Sequence, residues 1–421
     1  MKLSKIKLLV SALLIAGLTL LPARDIKWLA VSDLQNWFSS DGCEIEIGRT
    51  GETQDQIDGL RYPALYDMQD VQCQKGLWIG AANTQIQSME TPILDEVVNI
   101  GPRQVDDVGA IFNMEYKLIG RKDHPRVIVD GAPASQLIYL EPDLDEVDPD
   151  LPCDRMIYNK INTSMGISFE RKVMVFTHNY HQAYHLYEYT FTNNGIYSAD
   201  RSQQHNMTLE GVYFYWQARY AVNREATNYE LRILPQAATW GRNTMNHAFG
   251  INGNWGDGIS ETLNIQGTNK TFDVPFRGFF AWQGSCEEGA TSHAHDFGAP
   301  YEQGDSRLTS TQFPGVVLIH ADKSATDDQD WKTQPVAWQG IASDLKPHTN
   351  NKDQFDGSVM TERYQYMEGS DPSGYLDKSH AEYVIDANKV PFENMPDWPG
   401  DRGGISSAFG VGPVAPCREK A

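Results

Sequence analysis

Alternation of apolar and polar side chains is the strongest structural signal in this sequence. In residues 167–176, polar residues separate apolar positions that share one face, namely Ile167, Phe169, Val173 and Val175. Residues 184–192 and 209–222 follow the same pattern. A period of two is the signature of a half-buried strand. We therefore predict three consecutive antiparallel strands, the first two joined by a short loop at residues 178–181.

Shorter strand candidates flank this central region, at residues 76–81, 114–120, 126–130, 272–282, 316–321 and 382–386. Beyond residue 23, apolar residues do not recur at helical spacing for more than about two turns. No repeat of solenoid or propeller period is present in the sequence. The sequence therefore predicts an all-β fold, a large antiparallel β-sandwich (one wide sandwich or two packed ones) with long loops and few short helices.

The amino-terminal segment has the layout of a secretion signal. An apolar stretch at residues 8–21 follows three lysines, Lys2, Lys5 and Lys7. The stretch is shorter than the roughly 20 residues of a membrane-spanning helix, which disfavours the alternative of an uncleaved anchor. With cleavage after Ala23, residues 1–23 are predicted to be a signal peptide and residues 24–421 the mature β-sandwich region. The protein is then secreted or extracellular.

The charge balance narrows the classes of partner. The formal net charge is −21, and cleavage changes it to −24 because the leader carries three lysines and no acids. A strongly negative field repels phosphate backbones and anionic lipid surfaces. We therefore expect no nucleic-acid partner and, after signal cleavage, no membrane partner. Extracellular polysaccharide or other surface proteins remain as the candidate partners.

The five cysteines permit disulfides in an exported protein without defining them. An odd number leaves at least one thiol unpaired, and no metal-binding CxxC spacing is present. A bridge between Cys43 and Cys73 is one interpretation. The alternative is that the cysteines are isolated buried thiols, because a chain of this length can fold without covalent links.

An acid-rich loop is the candidate calcium site. Residues 141–154 combine prolines with closely spaced carboxylates, namely Asp143, Asp145, Asp148 and Asp150, followed by Asp154. Calcium takes six to eight oxygen ligands, which such a loop can supply. The glycine and closing glutamate of an EF-hand are missing. The alternative is a solvated acidic connector between two subregions, so the expected cofactor is either none or calcium.

Histidines form the second metal candidate. The two groups are, first, His178, His181 and His185 and, second, His293 and His295 beside Asp296. Imidazoles that converge on one point bind transition metals. If residues 184–192 form a strand, however, His185 lies on the same strand face as Tyr187, whereas His178 and His181 lie in the loop. Loop and strand-surface histidines are therefore the alternative interpretation.

Aromatic side chains are the candidate ligand-binding groups. Several of the ten tryptophans lie in or near loop-like surroundings, namely Trp240, Trp255, Trp282, Trp331 and Trp338. Such rings stack on the apolar faces of sugars, although the alternative is that they fill the core. No GxSxG, HExxH, Walker or strand-associated GxGxxG motif is present in the sequence. Spacing alone selects no pair of catalytic carboxylates among 56 acids.

Several stretches resemble large secreted β-sandwich proteins of environmental bacteria, many of which carry a carboxy-terminal sorting domain for a gliding-type secretion system. They are residues 187–195 (YEYTFTNNG), 209–214 (LEGVYF), 76–82, 124–135 and 403–412. The resemblance covers most of residues 35–415 and implies a fold without an established activity. Similar proteins continue through further strands after the glycine-rich stretch, so the resemblance implies that region 24–421 is incomplete at its carboxy-terminal end.

These observations lead to one functional expectation and two alternatives. We expect a secreted or cell-surface β-sandwich protein that is non-catalytic and has a binding or structural role, in contact with extracellular glycan. The first alternative is a carbohydrate-active hydrolase or lyase on a wide β-sandwich, with two carboxylates in a cleft. The second is a calcium-stabilised structural module.

Overall fold

The structure is a computed structural model in which strands predominate. It describes residues 25–45, 60–64, 71–82, 84, 95–100, 110–123, 128–133, 144–220, 244–249, 260–265, 268–273, 277–283, 312–330, 337–342, 357–368, 376–377 and 405–414. Within these residues the chain forms 23 strands and one α-helix. No helix in the described ranges is long and apolar enough to cross a bilayer.

The described part of the chain is a succession of strands that one helix interrupts near the carboxy-terminal end. The strands are β1 (Ile26–Leu29), β2 (Asn36–Ser39), β3 (Glu44–Ile45), β4 (Gln72–Ala82), β5 (Asp95–Ile100), β6 (Ile111–Gly120), β7 (Ile128–Val129), β8 (Ala132–Pro133), β9 (Glu146–Val147), β10 (Arg155–Thr163), β11 (Ile167–Val175), β12 (Leu186–Asn193), β13 (Glu210–Tyr220), β14 (Thr244–Phe249), β15 (Ser260–Ile265), β16 (Thr268–Asp273), β17 (Arg277–Gln283), β18 (Gly315–Leu318), β19 (Asp322–Ser324), β20 (Asp327–Asp330), β21 (Ala337–Ala342), β22 (Leu376–Asp377) and β23 (Ile405–Val414). The helix α1 (Gly357–Met367) lies between β21 and β22.

Two large sheets contain most of the long strands. The five-stranded sheet has the order β12-β11-β10-β6-β9, and the seven-stranded sheet has the order β22-β21-β23-β13-β4-β3, with β5 also paired to β4. All of these pairs are antiparallel except β6 with β9. The remaining strands form one three-stranded and four two-stranded sheets. The strand order confirms the prediction of an antiparallel, all-β architecture.

The two large sheets pack face to face and share one apolar core. It contains residues of the five-stranded sheet (Ile161, Ile167, Phe169) and of the seven-stranded sheet (Leu77, Ile79, Val98, Val212, Phe214). Phe191 of β12 stacks on Phe214 of β13 with 3.6 Å between ring centroids. Because each strand contributes alternate residues to this layer, the arrangement is the predicted sandwich.

The helix covers the outer face of the seven-stranded sheet. Trp78, Tyr213 and Tyr215 on that face pack against Tyr364 and Met367 of α1. The Tyr364 hydroxyl donates a hydrogen bond of 2.6 Å to the carbonyl of Gly211. Leu77, Trp78 and Ile79 are consequently all buried. This sheet is covered on both faces, which explains why these three apolar residues follow one another in β4 without a polar residue between them.

Most of the predicted strands form, with shifted ends. Residues 167–176 correspond to β11, residues 184–192 to β12 and residues 209–222 to β13. The weaker candidates at 76–81, 114–120, 126–130, 272–282 and 316–321 overlap β4, β6, β7, β16 with β17, and β18, respectively. The candidate at 382–386 lies outside the described residues. Residues 144–154 run along the edge of the five-stranded sheet, where β9 pairs with β6.

The predicted Cys43–Cys73 bridge is wrong. Cys43 is a buried thiol whose Sγ lies 3.3 Å from the hydroxyl of Ser39. The register of β3 with β4 pairs Glu44 with Lys75 and Ile45 with Gln74, so the two cysteines are not opposite each other. A disulfide requires its two Cβ atoms to face each other at about 4 Å.

Candidate functional site

An exposed group of aromatic and imidazole rings lies in the loop between β11 and β12. Tyr180 is 87% exposed and Tyr184 is 43% exposed. The rings form a continuous series. The ring centroid of His178 lies 5.5 Å from that of Tyr180 and 5.4 Å from that of His181. The ring centroid of His181 lies 5.7 Å from that of Tyr184. Phe176, at the end of β11, contacts both His181 and Tyr184. We refer to these five residues as the aromatic loop.

Hydrogen bonds within the aromatic loop fix its shape. The backbone amide of His181 donates to the carbonyl of His178 at 2.7 Å, which closes a turn. The ring Nδ1 of His181 and the hydroxyl of Tyr184 are hydrogen-bonded at 2.5 Å. Gln182 donates from its side chain to the carbonyl of Thr177 at 3.2 Å. The rings are therefore presented by an ordered turn, which reduces the entropy lost on binding.

The base of the loop is hydrogen-bonded at both ends to neighbouring parts of the protein. At one end, Asp154 accepts hydrogen bonds from the amide and hydroxyl of Thr177, at 2.8 and 2.9 Å. Burial opposes ionisation of Asp154, but the bonds from Thr177 and the charge of Arg121 outweigh it and lower its pKa. At the other end, Leu34 donates to the carbonyl of Gln182 at 3.1 Å and accepts a bond of 3.0 Å from His185.

This geometry suits a ligand with an apolar ring face and polar edges. An exposed tyrosine ring offers a flat surface that stacks on C–H groups, and its hydroxyl binds polar groups at the rim. The imidazoles of His178 and His181 add hydrogen-bonding groups that are exposed to solvent. A sugar ring combines an apolar face with hydroxyls at its edge, so the aromatic loop has the features of a carbohydrate platform.

The structure separates the three clustered histidines. His178 and His181 belong to the aromatic loop, whereas His185 turns inward and binds the carbonyl of Leu34. Among the described residues, no three or more histidine, cysteine, aspartate or glutamate side chains are arranged to hold a metal ion. The second group, His293, His295 and Asp296, lies outside the described residues.

The acid-rich loop is only partly described, because Asp143 lies outside the described residues. Asp145 accepts the backbone amide of Leu118 at 2.6 Å and forms an ion pair of 3.1 Å with Lys27. Asp148 accepts the amide of Asp150 at 3.0 Å. The carboxylate of Asp145 is thus engaged in fixing the chain against β6. The calcium site stays a prediction.

The tryptophans proposed for sugar stacking also stay predictions. Trp240, Trp255 and Trp331 lie outside the described residues, and Trp282 and Trp338 belong to strands whose side chains at these positions are not described. The aromatic loop was not predicted from the sequence, because only tryptophans, and no tyrosines, were considered as sugar-stacking groups. The signal that could have found it is the spacing of Tyr180 and Tyr184 among histidines in a predicted hairpin loop.

A second polar cluster is buried between the amino-terminal strands and the sandwich. We call Glu44, Lys75, Asn159 and Arg171 the buried ionic network. Glu44 forms an ion pair of 2.9 Å with Lys75. Burial opposes the ionisation of Glu44, but Lys75 and Arg171 outweigh this effect and lower its pKa. Arg171 donates to Asn159 at 2.6 Å. Sequence analysis missed this cluster entirely.

Comparison with known proteins adds no constraint on either cluster. The chain matches no protein-family model, no curated protein sequence and no solved structure. The assignment of a function therefore depends on which cluster is accessible to a ligand. The aromatic loop is exposed and the buried ionic network is enclosed, so the aromatic loop is the candidate binding site.

Proposed function

We propose that this protein is a secreted, non-catalytic β-sandwich protein that binds extracellular carbohydrate through its aromatic loop. The observation that carries the proposal is the exposure of Tyr180, at 87%, within an ordered group of rings. Removing a large aromatic side chain from water lowers the free energy of the protein. Its exposure in a loop that is otherwise hydrogen-bonded is therefore typical of a binding surface.

Two carboxylates, one in the core and one beside the aromatic loop, lack the features of a glycosidase acid. A glycosidase requires an acid with a raised pKa close to its substrate. Glu96 has a pKa raised to about 7, chiefly by burial, but its side chain is enclosed in the sandwich. Asp154, at the base of the aromatic loop, is bound to Thr177 and Arg121. Neither acid combines the required pKa with access to a bound sugar.

The charge of the protein favours neutral carbohydrate over anionic carbohydrate. The formal net charge of −21 repels sulfated and uronic acid polymers at low ionic strength. Stacking on an aromatic ring does not require ligand charge. We therefore expect neutral glucans, mannans or galactans to bind, with weaker binding of a polyuronate.

Replacing Tyr180 or Tyr184 with alanine is expected to weaken carbohydrate binding by about tenfold or more, because each ring is an exposed contact surface. Isothermal titration calorimetry with neutral glucan, mannan and galactan oligomers provides the measurement. The matched control is Phe313→Ala, which removes an exposed ring next to β18 of another sheet. Its binding constant is expected to stay within about twofold of the wild type.

Two results would count against this proposal. If wild-type protein binds no carbohydrate on a broad array, the binding role is lost and a structural role remains. If both tyrosine variants bind as tightly as the Phe313→Ala control, the carbohydrate site lies elsewhere on the protein.

The secreted location carries a separate expectation. Protein recovered from the culture medium or the cell surface is expected to begin at Arg24, because cleavage after Ala23 removes the leader. Amino-terminal sequencing or intact mass measurement gives the result directly. Recovery of the uncleaved chain from the cytosol would contradict export.

A further inference from the structure

A lysine amine and an asparagine amide both contact the carboxylate of Glu44 in the buried ionic network. Oε1 of Glu44 is 2.9 Å from Nζ of Lys75. Oε2 of Glu44 accepts a hydrogen bond of 2.7 Å from Nδ2 of Asn36. Glu44 and Lys75 are cross-strand partners in β3 and β4, and Asn36 is on β2. One carboxyl group thus touches a nucleophile and the amide that such a nucleophile can attack.

The three side chains are shielded from water. Asn36, Glu44 and Lys75 are 1%, 2% and 9% exposed, respectively. The ring of Tyr187 lies 3.7 Å from Nζ of Lys75 and covers one side of the amine. The amide oxygen of Asn36 is enclosed and has no hydrogen-bond partner. A buried amide oxygen without a partner is costly, so the structure holds Asn36 here at an energetic disadvantage.

Burial also favours the reactive form of the amine. Desolvation lowers the pKa of Lys75, and the attraction of Glu44 opposes this effect only in part. A neutral lysine amine is a nucleophile, whereas the ammonium ion is not. Transfer of its proton to Glu44 converts the ion pair into a neutral amine beside a neutral acid, and the direct contact between Nζ and Oε1 provides the path for that proton.

From this geometry we propose that Lys75 and Asn36 form an intramolecular amide bond after folding, with Glu44 as the proton carrier. The bond joins Nζ of Lys75 to Cγ of Asn36. It links β2 covalently to β4 and so fixes the amino-terminal strands to the seven-stranded sheet. No other reactant is needed.

The reaction balances without an oxidant or a cofactor. Glu44 removes a proton from Nζ of Lys75, and the amine lone pair attacks Cγ of Asn36. Glu44 then delivers the proton to Nδ2, the bond between Cγ and Nδ2 breaks, and ammonia leaves. Folding places the reactants together, which replaces a bimolecular encounter with an intramolecular one. The carboxylate acts first as a base and then as an acid, a role that its contacts with both nitrogens permit.

Gln72 is the competing amide in this site. Its side chain donates to the same Oε2 of Glu44, at the longer distance of 3.1 Å. Gln72 belongs to the same strand as Lys75, so a bond between them would not connect two strands. Asn36 lies on a different strand, and its bond with Glu44 is shorter. The structure therefore assigns Asn36 as the partner, and peptide mapping distinguishes the two.

The mass of the intact folded protein tests this proposal directly. Under reducing, denaturing conditions, the wild-type mass is expected to be lower than the sequence mass by one molecule of ammonia. Protease digestion is expected to yield a branched peptide that joins the fragments containing Asn36 and Lys75. A full sequence mass for the folded protein would overturn the proposal. So would an ammonia loss that maps elsewhere, for example to a succinimide at Asn194, which precedes Gly195.

Substitutions identify the chemistry of each group. Lys75→Arg retains the positive charge and is expected to restore the full mass. Asn36→Asp is expected to lose water instead of ammonia, because the leaving group becomes a hydroxyl. Glu44→Gln is expected to fold, as judged by circular dichroism, and to keep its full mass. Ammonia loss that persists in Lys75→Arg would exclude Lys75 as the nucleophile.

A matched control separates the crosslink from general effects of lysine substitution. Lys172 pairs with Glu188 at 2.6 Å on the exposed face of the five-stranded sheet. Lys172→Arg is expected to retain the ammonia loss and the branched peptide. If Lys172→Arg abolishes both, the mass change does not report on the site at Lys75 and the proposal fails.

Discussion

Replacing Arg171 with methionine is expected to lower the free energy of unfolding by about 3 to 5 kcal/mol, the typical cost of removing one partner from a buried charged network. The guanidinium of Arg171 is fully buried and donates to the carbonyls of Gly42, at 2.6 Å, and Ser39, at 3.2 Å. It also donates to Asn159 at 2.6 Å. Methionine fills similar space but removes the guanidinium donor from all three acceptors, of which the Ser39 carbonyl keeps only the bond from the Gly42 amide.

The position of Arg171 explains why the expected effect is large. The carbonyls that it binds belong to the last residue of β2 and to the turn between β2 and β3, so the side chain fastens the amino-terminal strands to the sandwich. Asn159 reinforces this attachment by donating to the carbonyl of Ser40 at 2.9 Å. Loss of Arg171 also leaves Glu44 with less positive charge around it. Each effect favours detachment of the same segment.

Chemical denaturation followed by circular dichroism measures this effect. Lys172→Met is the matched control, because Lys172 is the next residue on β11 and forms an exposed ion pair with Glu188. Exposed pairs contribute about 1 kcal/mol or less. An Arg171→Met variant as stable as Lys172→Met would show that the buried ionic network does not hold the amino-terminal strands.

Replacing Glu96 with glutamine is expected to stabilise the protein at about pH 8 by up to about 3 kcal/mol, at about 1.4 kcal/mol for each pH unit of a pKa change. Burial raises the pKa of Glu96 from 4.5 to about 7, although Ser164 donates a hydrogen bond to its carboxylate at 3.4 Å. Below pH 4.5 the acid is neutral in both states, and folding costs nothing at this site. As the pH rises through 7, the folded protein must bury a charge that the unfolded chain exposes.

His185 has the opposite effect on stability. Burial lowers its pKa from 6.5 to about 4, and its Nδ1 is enclosed without a hydrogen-bond partner. Above pH 6.5 the imidazole is neutral in both states, and its contribution to stability is fully present. As the pH falls through 4, the unfolded chain binds the proton more readily and stability is lost.

The two effects oppose each other between about pH 4.5 and 6.5, so the wild-type stability is expected to change little there. In Glu96→Gln only the effect of His185 remains, so the free energy of unfolding should rise with pH over this range. In His185→Gln only the effect of Glu96 remains, so the free energy of unfolding should fall with pH over this range. Denaturation curves at a series of pH values provide the test, with the exposed Glu188→Gln as the control. A Glu96→Gln variant that is no more stable than wild type at about pH 8 would contradict the raised pKa.

The amino-terminal strands connect the two clusters described above. The turn between β2 and β3 receives the bonds from Arg171 and Asn159. Leu34, just before β2, holds the aromatic loop through Gln182 and His185. Docking of this segment therefore completes the polar interior and positions the proposed binding surface. We expect Arg171→Met to weaken carbohydrate binding as well, through loss of the support at Leu34.

Sequence alternation predicted β11 and β12 because one face of each strand meets the core. Ile167, Phe169 and Val173 lie on the buried face, as expected. Arg171 shares that face, where it interrupts the series of apolar residues. A buried arginine is favourable only when acceptors surround it. Two of those acceptors are the carbonyls of Ser39 and Gly42, more than a hundred positions away, and no local pattern reveals them.

The sequence by itself determined the all-β class, the central strands and the negative net charge, because period-two burial and net charge are local or additive properties. Only the tertiary structure decided which charges are enclosed and which rings stay exposed. It brings Asn36, Glu44 and Lys75 onto neighbouring strands, and it turns His185 inward while Tyr180 remains in water. These outcomes depend on contacts between distant segments, which side-chain spacing along the chain does not encode.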